Sequence, residues 1–191
     1  MRLLFFAGST WDGSFNQKLA ALSHHIAEAN GIEAVLVDLK DYPMPIYNGD
    51  LEAAEGQPDN AHKFKALMMA HSGIFIASPE YNASITPLLK NTLDWVSHVR
   101  DEGEAPVEVY KTRVFALGSS SNGGMGGLRS LTTVRQVLEL GLGALVLPDQ
   151  FAVPRAKDAY GEDGHLKNKD SQEAFKALIQ KLARAAHVLH G

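Results

Sequence analysis

The stretch Ile74-Phe75-Ile76-Ala77-Ser78-Pro79-Glu80-Tyr81-Asn82-Ala83-Ser84-Ile85-Thr86-Pro87-Leu88-Leu89-Lys90-Asn91-Thr92-Leu93-Asp94-Trp95 decides how the chain reads. Its first four residues are a continuous apolar run, the pattern of a strand buried on both faces. Ile85 to about Val99 reads as a helix, with Pro87 early enough that its missing N–H is harmless. Ser78 to Pro87 joins the two and carries prolines near both ends. A stiff turn of that kind can lay backbone N–H and C=O groups against a flat heterocycle, with Tyr81 as a planar wall. An ordinary strand-to-helix connection is the competing reading.

The same strand–turn–helix unit repeats on either side. Leu3 to Ala7, Glu33 to Leu39, Arg113 to Leu117 and Ala144 to Leu147 supply four more short apolar strands. Leu19, Leu22, Ile26 and Ala29 recur at helical spacing and stop at Gly31. A further helix starts with Asp59 or Asn60 as cap and runs to about His71. Another passes through Leu131, Val134, Val137 and Leu138, and Ser171 to Leu189 closes the chain as an amphipathic helix. Tyr42 to Pro58, Arg100 to Tyr110 and Ala156 to Lys169 read as irregular connections. Five strands alternating with helices predict an α/β domain over 1–191, a doubly wound parallel sheet with helices on both faces. In such sheets ligands sit at the carboxyl ends of the strands.

Composition narrows the chemistry. A net charge of -4 over 191 residues, with no cluster of Lys and Arg, argues against a nucleic-acid footprint. The absence of cysteine removes disulfides, thiolate nucleophiles and cysteine-held metals. Any redox chemistry then belongs to a bound cofactor. The apolar run at the amino terminus is shorter than a secretory h-region, and no later run spans a bilayer, so a cytoplasmic protein without membrane contact is expected. His24, His25 and Glu28 are of metal-ligand type, but adjacent histidines point to different faces of a helix, and no metal is expected.

Two further turns fall at the ends of apolar strands. Gly8-Ser9-Thr10-Trp11-Asp12-Gly13-Ser14-Phe15-Asn16 leads into a helix, whose free N–H groups and dipole suit an anion. A capped helix after a polar loop would read the same way. The turn is neither a GxGxxG nor a Walker loop, which argues against dinucleotide pyrophosphate and ATP. Gly118-Ser119-Ser120-Ser121-Asn122-Gly123-Gly124-Met125-Gly126-Gly127 lets backbone approach a ligand closely, though a surface loop could be equally glycine-rich.

Taken together, the three turns resemble those of the NAD(P)H-dependent FMN reductase family, which includes quinone, chromate and azo-dye reductases. The first resembles its Gly-Ser-x-Arg-x-x-Ser-x-Asn loop. The second resembles Pro-Glu-Tyr-Asn-x-Ser-x-Pro leading into Leu-Lys-Asn-x-x-Asp-Trp, with Thr86 in place of the last proline of the first motif. The third resembles the glycine-rich loop before Arg129. The resemblance implies a flavodoxin-like fold, bound FMN, NADPH or NADH as co-substrate and a small-molecule electron acceptor. It also implies a homodimer or homotetramer. Ser9, Ser14 and Asn16 would hold the phosphate, with Trp11 and Phe15 on the same loop. Pro79, Glu80, Tyr81 and Asn82 would line the isoalloxazine, and Ser119, Ser120, Ser121 and Gly123 would approach it from the third turn. No side chain is implied as a catalytic acid or base. Trp11 stands where the family has an arginine facing the phosphate, which should weaken FMN binding. An electron carrier without efficient NAD(P)H turnover, or a flavin-free interaction subunit, are the rival readings.

Overall fold

A computed structural model describes residues 1–190. Five parallel strands, β1 (Arg2–Ala7), β2 (Glu33–Val37), β3 (Gly73–Ala77), β4 (Val114–Ser120) and β5 (Leu145–Val153), form one sheet in the order β2-β1-β3-β4-β5. The helices are α1 (Phe15–Ala29), α2 (Gly49–Glu55), α3 (Asp59–Met69), α4 (Pro87–His98), α5 (Glu108–Lys111), α6 (Leu128–Arg135), α7 (Ala156–Ala159) and α8 (Lys169–His190). A wide π-type turn over Gln136–Gly141 extends α6. The doubly wound α/β reading therefore holds.

Alternation along the strands sorts the core into two layers. Leu3 and Phe5 of β1 join Phe75, Leu19, Phe175 and Ile179 under α1 and α8. Leu4 and Phe6 join Ile74, Ile76, Phe64 and Leu93 under α3, α4 and α6. The pairing of Ala7 with Ala77, and of Ala77 with Gly118, brings the carboxyl ends of the three central strands level. The first and second turns follow β1 and β3, and the third begins within β4, all at this one edge of the sheet.

Several element boundaries differ from the sequence reading. β4 runs through Gly118 to Ser120, so the third turn begins later than its glycine suggests. Gly118 is there because a Cβ would sit 2.6 Å from the Phe75 ring; it marks a close approach inside the sheet. β5 continues past Pro148 to Val153 across a register irregularity opposite Phe115–Leu117, which an edge strand tolerates. Short helices α2, α5 and α7 interrupt the three connections read as irregular. Pro58, not Asp59 or Asn60, occupies the cap position of α3 and makes no side-chain cap bond.

The proline-rich segment before α2 is held by side chains of α4. The buried indole of Trp95 donates to the Pro45 carbonyl at 2.7 Å. Asn91 accepts from the Tyr47 amide and donates to the Pro45 carbonyl, both at 2.8 Å. Trp95 is thus a packing residue, and Asp94 pairs with Lys90 on the surface of α4. Among the described residues no helix is long and apolar enough to cross a membrane, and no cluster of acids and histidines could hold a metal ion.

Candidate functional site

The three turns are fastened to one another by side chains. The Thr86 hydroxyl donates to the Gly8 carbonyl at 2.6 Å and accepts from the Leu89 amide at 3.1 Å, which caps α4 and ties the second turn to the first. The Asn16 carboxamide donates to the Ser120 carbonyl at 2.9 Å and accepts from the Ser120 amide at 3.0 Å, which ties the first turn to the third. Glu80 accepts from Arg129 Nε at 2.7 Å and from the Arg129 amide at 3.1 Å, and pairs with its terminal nitrogen. Beneath them the Ser130 hydroxyl donates to the Ser78 carbonyl at 2.9 Å. These contacts join the second turn to the start of α6, where the third turn ends. The carboxyl edge is a closed triangle of turns.

Each expected residue has a definite place in it. In the first turn Ser14 caps α1, its hydroxyl accepting from the Asn16 amide at 3.3 Å. Ser9 accepts from the Trp11 amide at 3.4 Å. Among the described residues, no protein acceptor takes the amide hydrogens of Thr10, Asp12, Gly13 or Phe15. Free amide donors at a helix start suit an anion. Asn16 is buried and faces β4, so its carboxamide serves as a clamp between turns. Trp11 is 65% exposed. Lys18 lies over the Phe15 ring, 5.7 Å from its centroid.

In the second turn Pro79 is buried and Tyr81 is 54% exposed. Tyr81 and Ser84 exchange backbone hydrogen bonds at 2.9 and 3.0 Å around Asn82 and Ala83, both at positive φ. A two-residue turn with both residues left-handed is tight and fixes where Tyr81 stands. In the third, the Ser121 amide donates to the Val153 carbonyl at 3.1 Å, and Gly123 accepts from the Arg155 amide at 3.3 Å. Gly123 is exposed.

Ser119 and Ser120 turn inward. Ser120 Oγ accepts from the Tyr160 hydroxyl at 2.9 Å, and burial pushes Tyr160 up to about 12, so this phenol stays protonated and donating. Ser119 Oγ is buried without a partner, as is Ser78 Oγ just past the end of β3. Gly127, at φ 88, crosses directly over Ser119; a Cβ there would lie 1.9 Å from its hydroxyl oxygen. The third turn therefore offers a ligand backbone groups and Ser121, with Ser119 and Ser120 behind them.

Three residues escaped the reading of the sequence as site components. Thr86 was signalled only as a departure from a proline. Arg129 lay at the end of a quoted motif without a role. Tyr160 reaches Ser120 across 40 residues, a contact without a local sequence signal.

The donor set fits a phosphorylated heterocycle. The first turn presents free amides and hydroxyls, and the Glu80–Arg129 pair holds the second turn beside the end of the third. The arrangement holds no nucleophile–base pair. The family model for NADPH-dependent FMN reductase matches residues 1–158. A rice (Oryza sativa subsp. japonica) protein named "Probable NADPH:quinone oxidoreductase 2" is 32% identical, over 100% of this chain and 91% of its own length. An NAD(P)H-dependent FMN reductase of Pseudomonas aeruginosa is 28% identical, covering 100% of this chain and 98% of its own. The solved structure of FerB, a flavoenzyme NAD(P)H:(acceptor) oxidoreductase from Paracoccus denitrificans, overlays with a TM-score of 0.80 at 22% identity, covering 98% of each chain.

Proposed function

The chain belongs to the NADPH-dependent FMN reductase family, and from that premise we propose that it passes electrons from NAD(P)H through FMN to a quinone. It is an FMN-dependent oxidoreductase that draws on NAD(P)H. The observation that carries the reading is the triangle of turns, which leaves amides free at the helix start and stiff backbone beside them.

Bound FMN supplies the chemistry, taking a hydride from the nicotinamide and giving electrons to the acceptor. The protein's part is to hold and to tune. The amides of Thr10, Asp12, Gly13 and Phe15, with the hydroxyls of Ser9 and Ser14, are the phosphate donors. Trp11 adds no charge to them. The backbone of Pro79 to Asn82 would line the ring, with Ser121 and Gly123 approaching it from the third turn. Glu80 acts through Arg129, holding these two turns at a fixed separation. Backbone N–H groups of these turns would stabilise the negative charge that a bound flavin gains on reduction. We assign no catalytic side chain.

The quinone as acceptor is supported by the names of the plant relatives. We further infer a cytoplasmic homodimer or homotetramer. A groove of about 580 Å³ between α4 and the end of α6, beside Leu140 at 82% exposure, is a face that association would cover. Light scattering of the purified chain tests the assembly.

The function is tested by titrating the flavin-free chain with FMN while following flavin fluorescence, and then by measuring NADPH and NADH oxidation with a quinone present. Saturable binding with quinone-dependent turnover is the expected result. Binding without turnover with either nicotinamide would make the protein a carrier, and failure to bind FMN would end the proposal.

A further inference from the structure

A hollow opens between α1 and the carboxyl end of β2, on the far side of β1 from the second and third turns. Its volume is about 470 Å³, within the range of about 300–1,000 Å³ that holds a small-molecule ligand. From α1 it receives only Gln17 and two alanines, Ala20 and Ala21, so the helix leaves room beside the edge strand. Leu36, 41% exposed on β2, and Val37 complete its apolar walls. Of the residues assigned above to FMN only Ser9 borders this space, and its carbonyl already accepts from Gln17 at 3.1 Å.

The polar groups of the lining are mostly acceptors. Gln17 spends its amide hydrogens on the Ser9 carbonyl and on Asp38, at 3.1 Å each. Among the described residues, its side-chain oxygen has no protein donor, and neither has the Asp41 carboxylate. Asp38, just past the end of β2, accepts from the Lys40 amide at 3.0 Å and pairs with the Lys40 ammonium at 3.2 Å. That ammonium is the one cation of the lining. Its bond to Asp38, with Asp12 and Asp41 close by, raises it above the ordinary lysine value, so it stays charged and engaged.

Such a set calls for a ligand that brings donors and no added negative charge. The hydroxyls of a ribose and the exocyclic amine of adenine are donors of that kind, and a flat base suits the apolar walls. The reach also fits. Neighbouring strands lie about 4.8 Å apart and β1 alone separates β2 from β3, so the hollow is about 10 Å from the second turn. An extended dinucleotide bridges that span.

We propose that this hollow seats the adenosine end of the nicotinamide co-substrate and favours NADH over NADPH. The inference rests on the NAD(P)H-dependent reading above. The extra ribose phosphate of NADPH would meet Asp38 and Asp41 with Lys40 already engaged, and like charges so placed cost affinity. The preference would set this chain apart from relatives named for NADPH.

The test is equilibrium binding, without turnover. The full chain loaded with oxidised FMN is titrated by calorimetry with ADP-ribose, which lacks the nicotinamide and cannot reduce the flavin. A second titration uses the form of ADP-ribose that carries the extra ribose phosphate of NADPH. Wild type should bind ADP-ribose saturably and the phosphorylated form at least about tenfold more weakly. Leu36→Trp fills the hollow from an exposed position on the edge strand and should abolish saturable binding of both, while FMN still binds. Asp41→Lys exchanges an exposed charge without touching the apolar walls, and should bring the two ligands within about threefold of each other. The absence of saturable ADP-ribose binding, or equal affinity for the two ligands in wild type, would overturn the proposal. Unchanged binding in Leu36→Trp would do the same. A chain that refuses FMN yet binds ADP-ribose, and loses it in Leu36→Trp, would sink the flavoenzyme reading and leave the hollow standing. Quinone-dependent turnover without ADP-ribose binding would do the reverse.

Discussion

The carboxyl and amino edges of the sheet are held together by different chemistry. At the carboxyl edge the turns are joined mainly by neutral hydrogen bonds: Thr86 to Gly8, Asn16 to Ser120, Tyr160 to Ser120. One ion pair, Glu80 with Arg129, also joins two of these turns and sits at the rim with its arginine exposed. At the amino edge the segment after α4 is pinned by Lys65 of α3, a side chain only 3% exposed that pairs with both Asp101 and Glu104. The difference teaches what a cofactor edge requires. Neutral clamps fix the geometry without adding a field that would bias a redox ring, and they do not titrate over the working pH range. A charged clamp serves equally well away from that edge.

Breaking the Asn16 clamp should have the largest effect. Asn16→Ala removes two bonds and leaves the Ser120 amide and carbonyl buried without partners, a cost of about 2–4 kcal/mol. For a domain of this size that lowers the melting temperature by roughly 4–15 °C, read by thermal unfolding of the flavin-free chain. An unchanged melting temperature with weaker FMN binding would return Asn16 to the phosphate.

Trp11→Arg sharpens the comparison from the other direction, by placing a cation in a turn that has none. A charge-assisted contact to the phosphate is worth about 1.5–3 kcal/mol. FMN should bind roughly one to two decades more tightly in a fluorescence titration. Equal affinities would mean that the free amides of the first turn already satisfy the phosphate.

These two residues also show what the sequence could convey. The strands, their order of alternation and the edge carrying the chemistry were legible because buried parallel strands leave short apolar runs that end in turns. The three motifs were legible as local patterns. The direction in which a polar side chain points was not. Asn16 looks like a phosphate donor in a motif, yet it turns toward β4 because the Ser120 peptide lies opposite it once the sheet has formed. Ser119 and Ser120 look exposed in a glycine-rich run, yet β4 carries them inside. Gly118 reads as a turn residue and is a strand residue shaped by the Phe75 ring. The apolar run ends the fifth strand at Leu147, yet β5 runs on to Val153, since no propensity argument anticipates an irregular register at a sheet edge.

A smaller effect is expected where the chain departs from the family's proline. Thr86 has φ -71 and ψ 150, angles that proline accepts. Thr86→Pro therefore loses only the hydroxyl that reaches Gly8 and caps α4, about 1 kcal/mol. The loss should appear in chemical denaturation as a lower midpoint with an unchanged slope. A changed slope would mean that the second turn had come away from the first.

The smallest effect at the site should come from the amino edge, and it carries a pH signature. A hydrogen bond from Lys65, joined by the Asp101 amide, holds Glu104 below the usual carboxylate range; Lys65 likewise lowers Asp101. Burial pulls Lys65 down, but its bonds to Glu104 and Asp101 outweigh this and leave it raised. A depressed carboxylate contributes stability that is complete above its unfolded value, about 4, and disappears as pH falls through its folded value. The raised lysine contributes fully below its unfolded value of about 10.4 and loses its share only in strong alkali. Glu104→Gln should therefore be less stable than wild type at neutral pH, with the gap closing as the solution is acidified below about pH 4. FMN affinity should not follow it, because the pair lies at the opposite edge from the three turns. A stability gap independent of pH would remove the titrating pair as its cause, and a parallel fall in FMN affinity would show that the two edges are coupled through α4.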